Sequence, residues 1–324
     1  MSHNRSIRCL LTLVLVLGTT VGSTGDSIHP VSERGEELIR NRRYDAFKGA
    51  HYRVKTDDPR IKTRVAVDLL DAFYGFFESS WESPVELDED TSHSMAFLFY
   101  SSNSYRSAVR DSHNCVFSSS QSDHDPRLDV TAHHTETGFP EFADSLIHGA
   151  AHQQLARRFF HPETPRPTWL LEGLAGYFSG TRVNDSLEFQ AGRTGRKSIQ
   201  LFDEPLPGTS RFRARFTRRF NRLMNEGQFE NRPSIDALLK METPLRFSAG
   251  NREGNYVLSW ALVHYLLQGD DGAYRESFMK YLQALRTREA SATDDGPDLL
   301  EMVGLSARVL EERVLTHGRS VKFR

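Results

Sequence analysis

Cysteine is nearly absent from this chain, with two in 324 residues, at positions 9 and 115. A scaffold stapled by disulfides is thereby excluded. No apolar run approaches the roughly 20 residues that a membrane-spanning helix needs. The longest, Cys9–Gly18 (CLLTLVLVLG), is about half that. Neither sign of charge dominates, with 41 basic and 43 acidic residues and a net charge of −2, so nucleic acid is not the expected partner. No internal repeat is visible. What is present is a globular composition, 38% hydrophobic and 26% charged with a mean hydropathy of −0.52. That is enough for one sizeable core or two modest ones. The 21 phenylalanines point to an interior packed largely by aromatic rings.

The amino terminus reads as a secretory signal peptide over residues 1–23. Arg5 and Arg8 precede the apolar run, and the small polar stretch Thr19–Gly25 follows it. The alternative is an N-terminal anchor that is never cleaved. Cleavage near Ser23 would remove two arginines and Cys9, moving the net charge from −2 to −4 and leaving Cys115 alone. The expected location is therefore secreted or periplasmic, with no membrane-spanning segment left after cleavage.

Along the chain, an N-terminal extension (24–48) is expected to lead into an α/β subdomain (49–135). His51–Lys55 alternates like a strand, and Val65, Leu69, Leu70, Phe73, Phe76 and Phe77 recur at helical spacing. Ser94–Tyr100 is a candidate buried strand, with Cys115–Ser118 and Arg127–Ala132 as weaker ones. Beyond Pro140 the pattern turns helical, with helices expected over 141–160, 168–179, 210–225, 233–241, 254–268, 272–287 and 305–316. A helical region over 136–290 and a C-terminal segment over 291–324 follow, separated by the loop Glu289–Pro297. The overall expectation is an α+β protein.

The chemistry concentrates in Asp144–Leu155, DSLIHGAAHQQL. On a helix, His148 and His152 lie one turn apart on one face and can share a tetrahedral metal. A solvated or hydrogen-bonded histidine face has the same pattern. Twenty residues after His152, beyond the proline-rich loop His161–Thr168, Glu172 sits near the start of a helix, Trp169–Phe178 (WLLEGLAGYF). It either points back at the histidines or satisfies backbone N–H groups at the helix start. Three protein ligands with an open fourth position would be the arrangement of a catalytic rather than a structural zinc.

HxxxH followed by W-L-x-E-G-x-A-x-Y-F resembles the gluzincin zinc metallopeptidases (peptidase-MA-like), in particular a secreted bacterial branch of unknown function. The resemblance spans about residues 50–316. It takes in the early strand and helix, the YRSAVR segment from Tyr105, Tyr256–Leu267 (YVLSWALVHYLL) and GLSARVLEERV from Gly304. It implies a zincin-like fold, a small α/β subdomain followed by a mainly helical metallopeptidase-like region. It also implies Zn2+ held by His148, His152 and Glu172. Tyr177 and Tyr256 become candidates for an oxyanion-stabilising phenol, or else buried structural tyrosines.

One departure outweighs these matches. The family carries glutamate directly after the first histidine, where it takes a proton from the attacking water and passes it to the leaving amine. Here that position is Gly149. Such a group is worth typically 10² to 10⁴-fold, about 3 to 5 kcal/mol of barrier. Three explanations compete: a zinc-binding pseudo-peptidase, an active hydrolase whose base comes from His133, His134, Glu136 or Glu141, or a metal-free scaffold. In the first, a peptide or protein ligand is bound without being cut, by strand addition near Arg127–His133. Arg211–Arg222 (RFRARFTRRFNR) is expected to be an amphipathic helix whose Phe212, Phe216 and Phe220 pack inward. A membrane-surface or polyanion role is the other reading of its six arginines. Asn184–Ser186 matches a glycosylation acceptor.

Overall fold

The structure is a computed structural model that describes residues 45–81, 93–101, 103, 115–118, 130–134, 139–158, 167–194, 199, 201, 232–241, 246–247, 250–287 and 296–321. The stretch read as a signal peptide, most of the expected extension, YRSAVR, the arginine-rich segment expected to be a helix and most of the expected 289–297 loop lie outside the described residues.

The fold is mixed α and β, mostly helical. Its sheet has five strands: β1 (Asp45–Lys48), β2 (Tyr52–Thr56), β3 (Ser94–Phe99), β4 (Cys115–Ser118) and β5 (Val130–His134), in the order β1-β2-β3-β5-β4. The sheet thus begins inside what the sequence suggested was an extension. β2, β3 and β5 run parallel, and β1 and β4 flank them antiparallel. All six residues of β3 are buried, which explains why SMAFLF is a continuous apolar run rather than an alternation. β5 is paired on both sides, to β3 and to β4. Strand addition near Arg127–His133 is therefore ruled out over Val130–His133, where both hydrogen-bonding edges are occupied; residues 127–129 lie outside the described residues.

Helix α1 (Thr63–Ser79) covers the sheet with Ala66, Val67, Leu69, Leu70, Phe73 and Phe77. The aromatic interior expected from composition is centred here. Phe73, Phe76 and Phe77 meet Phe178 at ring distances of 5.1–5.9 Å, and Phe76 stacks on Phe189 at 4.9 Å. Helix α2 (Phe139–Arg158) packs against the sheet and α1, and helix α3 (Thr168–Gly180) packs against α2. Between α3 and the later helices lies a hairpin, β6 (Thr181–Val183) and β7 (Phe189–Thr194), in a stretch for which no element was expected within a mostly helical region. Leu187, with φ of 63°, sits in its turn.

The remaining helices are α4 (Ile235–Leu239), α5 (Arg252–Gln268), α6 (Arg275–Thr287), α7 (Leu299–Val303) and α8 (Ala307–Ser320). α5 is the central one, with thirteen of its residues buried, so it is apolar nearly all round. Asn251 caps it by accepting from the Gly254 N–H at 2.9 Å. Asp298 caps α7, and Gly304, with φ of +67°, turns the chain from α7 into α8. No helix among the described residues is long and apolar enough to cross a membrane.

α8 docks on α5 through a histidine pair, His264 Nδ1 and His317 Nε2, 2.9 Å apart. His264 is buried, and its Nε2 has no hydrogen-bond partner. Burial first, and the neighbouring His317 second, push its pKa down to about 3 from an ordinary 6.5. The fold thus accepts only neutral His264, while the unfolded chain protonates it below about pH 6.5. Stability from this group is complete above that pH and is lost as pH falls toward 3, by at most about 1.4 kcal/mol per pH unit. Urea unfolding in the presence of a chelator should show a midpoint that falls between pH 7 and 5. His264→Leu should flatten that slope, and an unchanged slope in the variant would refute the assignment.

Candidate metal centre

α2 presents a narrow half-exposed stripe, Asp144, Ser145, His148 and His152, while its Phe142, Leu146, Ile147, Ala150, Ala151 and Leu155 are buried. The two polar residues after His152 tie the helix to the sheet. Gln153 Nε2 donates to the Met95 carbonyl at 3.0 Å, and Gln154 Nε2 donates to the Tyr52 hydroxyl at 2.9 Å. Because both glutamines are buried, these bonds fix the rotation of the helix and so the direction of the histidine face.

α3 brings the carboxylate. Glu172 and Leu171 are its only half-exposed residues; the rest are buried. The helix begins at Thr168 and its first turn contains no acid, so Glu172 stands one turn inside it. The helix-start alternative for Glu172 is therefore corrected: from the second turn its carboxylate faces the histidines rather than free backbone N–H groups.

His148 Nε2 and His152 Nε2 are 3.2 Å apart, and Glu172 Oε2 lies 3.3 Å from the first and 3.5 Å from the second. Two ligands of a tetrahedral zinc, each about 2.0 to 2.1 Å from the ion, are separated by about 3.3 to 3.4 Å. The triangle therefore has the size that such an ion requires. The chemistry of the three atoms points the same way. One shared proton can join the two imidazole nitrogens, but Glu172 Oε2 is buried and receives no hydrogen bond. A single cation in the middle satisfies all three lone pairs at once.

Burial alone would raise the Glu172 carboxyl. The adjacent imidazoles, His152 foremost, overcome that effect and hold it well below the usual carboxylate range. Its other oxygen, Oε1, accepts a 3.4 Å hydrogen bond from the Tyr256 hydroxyl of α5. Burial, and then the Glu172 charge, push the Tyr256 phenol up, so it remains a protonated donor at neutral pH. Tyr177 is placed differently: it is buried, its hydroxyl accepts from Gln268 Nε2 at 2.9 Å and its ring packs on His264.

Gly149 is buried beside His148. Glu136 and the side chains of Glu141, His133 and His134 lie outside the described residues. Sequence reasoning did not single out Arg252. Arg252 sits one turn before Tyr256, its guanidinium carbon 5.6 Å from the Tyr256 ring centre.

A family model described as a protein of unknown function, DUF1570, matches residues 143–291, a little under half of the chain. That stretch runs from within helix α2 through α6, so it contains His148, His152 and Glu172 and leaves the five-stranded sheet outside. No curated protein matches the sequence.

The close fit of α3 on α5 depends on Gly173, next to Glu172. A methyl group there would stand 2.7 Å from the Ser259 carbonyl oxygen and 2.7 Å from Val263 Cγ2. The backbone oxygen cannot swing aside, so the helices must separate. Gly173→Ala should cost about 1 to 3 kcal/mol in urea unfolding and weaken zinc binding in a chelator competition. A variant as stable as wild type would show that the helices are not held this tightly.

Proposed function

We propose that this protein is a secreted, gluzincin-like metallopeptidase homologue, zincin-like in fold, that binds zinc through His148, His152 and Glu172 and hydrolyses peptides weakly or not at all. The observation that supports the reading best is the triangle of Nε2, Nε2 and Oε2 atoms with edges of 3.2, 3.3 and 3.5 Å around a carboxylate oxygen that accepts no hydrogen bond. Bound there, zinc supplies Lewis acidity to whatever group takes the fourth position.

The chain's own residues divide the remaining work. His148 and His152 would hold the ion as neutral imidazoles, and Glu172 would contribute the one negative charge of the set. Tyr256 donates to Glu172 Oε1, which leaves Oε2 turned toward the histidines. A carbonyl brought to the open position can then be polarised and oriented. No proton can be taken up at position 149, because glycine has no side chain. The work expected of the site is therefore recognition, with an extended peptide or protein segment as ligand. Among the described residues, the outermost strand of the sheet at the α2 end is β4.

Elemental analysis of the purified chain should find about one zinc per molecule, lost in His148→Ala. Wild type should cleave a mixed peptide library slowly or not at all, and Gly149→Glu should raise hydrolysis at least about 100-fold. Absence of zinc after incubation with the metal would refute the metal reading. Brisk hydrolysis by wild type that falls in Gly149→Glu would show instead that another group supplies the base.

A further inference from the structure

The N-terminal end of α5 carries a cation for which the metal triad has no use. Arg252 is exposed and forms no ion pair among the described residues. Its guanidinium lies over the Tyr256 ring, and the hydroxyl of that ring is 3.4 Å from Glu172 Oε1. The cation therefore stands one aromatic ring away from the carboxylate that faces the histidines. Its own helix does not account for it, since the field of a helix opposes positive charge in the first turn. Contact with the ring limits the arginine's freedom, and a planar guanidinium ordered in advance loses less entropy on pairing with a carboxylate.

We infer that Arg252 receives a carboxylate of the ligand whose polar group occupies the open metal position, which makes acidic peptide segments or peptide C-termini the preferred ligands. The inference rests on the metal reading above and adds the ligand's chemical class to it. Two features separate it from generic surface charge: the anion must be joined covalently to the group on the metal, and the spacing must bridge from Glu172 past Tyr256.

The test uses the full mature chain loaded with zinc and a set of small metal-binding probes. Acetohydroxamate is compared by calorimetry with the monohydroxamates of succinic, glutaric and adipic acids, which add a carboxylate on a progressively longer tether. At least one diacid probe should bind about tenfold or more tightly than acetohydroxamate. That gain should vanish in Arg252→Gln and survive in part in Arg252→Lys. The readout is the ratio between acidic and neutral probes, which a general loss of structure would not change selectively. Two peptide hydroxamates, one with a free C-terminus and neutral side chains and one amidated with an internal glutamate, then separate the two sources of carboxylate. Zinc-loaded wild type that shows no gain for any tether, or a gain that persists in Arg252→Gln, overturns the inference and leaves the metal reading intact. A chain that elemental analysis finds free of zinc overturns both.

Discussion

Two imidazole nitrogens and a carboxylate oxygen are held within 3.5 Å of one another at a largely buried point, and the packing of three helices and a sheet keeps them there. Two come from one helix, where the four-residue spacing brings them together without further help. The third must be delivered across a helix–helix contact. Its delivery depends on α3 being wedged between α2 and α5, with Gly173 allowing the backbone of α5 to approach closely. α2 in turn is pinned to the sheet by Gln153 and Gln154. The sheet takes no part in ligation, yet it sets the angle at which the histidines meet the glutamate.

The two glycines next to the ligands have opposite significance. Gly173 follows Glu172 and is required sterically, because a β-carbon there collides with backbone. Gly149 follows His148 in the interior of a 20-residue helix, where glycine costs roughly 1 kcal/mol relative to alanine. The first maintains the geometry of the site. The second offers the site no side chain and leaves that geometry alone, since the three converging atoms belong to other residues.

Much of this was legible in the sequence because the relevant signals are local. The histidine spacing, the proline-rich loop and the WLLEGLAGYF helix located the three ligands, and the phenylalanine periodicity of α1 located the core. What escaped depended on partners distant in the chain. β5 looked like an exposed strand because nothing local reveals that β4 pairs with its free side. The β6–β7 hairpin is short, and its strands alternate too weakly to stand out from the helices around it. Glu172 looked like a helix-start acid because the starting residue, Thr168, follows a proline that could belong to either element. Arg252 went unremarked because its meaning comes from Tyr256, and through it from a carboxylate 80 residues earlier in the chain.

On the proposed reading, in which the site binds without cutting, three ligands would serve poorly if the metal only stabilised the fold, since a fourth side chain would hold the ion more completely. Any ion bound to the native state alone stabilises it by mass action, however many ligands the chain supplies. The distinguishing property of three ligands is the position left for something else. Beside the triad stand the Tyr256 phenol, which donates to Glu172, and the exposed Arg252 guanidinium over its ring, both at the N-terminal end of a helix that is mostly buried. A glycine at position 149 and these groups around the triad fit the proposed reading together, in which the site would hold a polarised, negatively charged segment rather than turn it over.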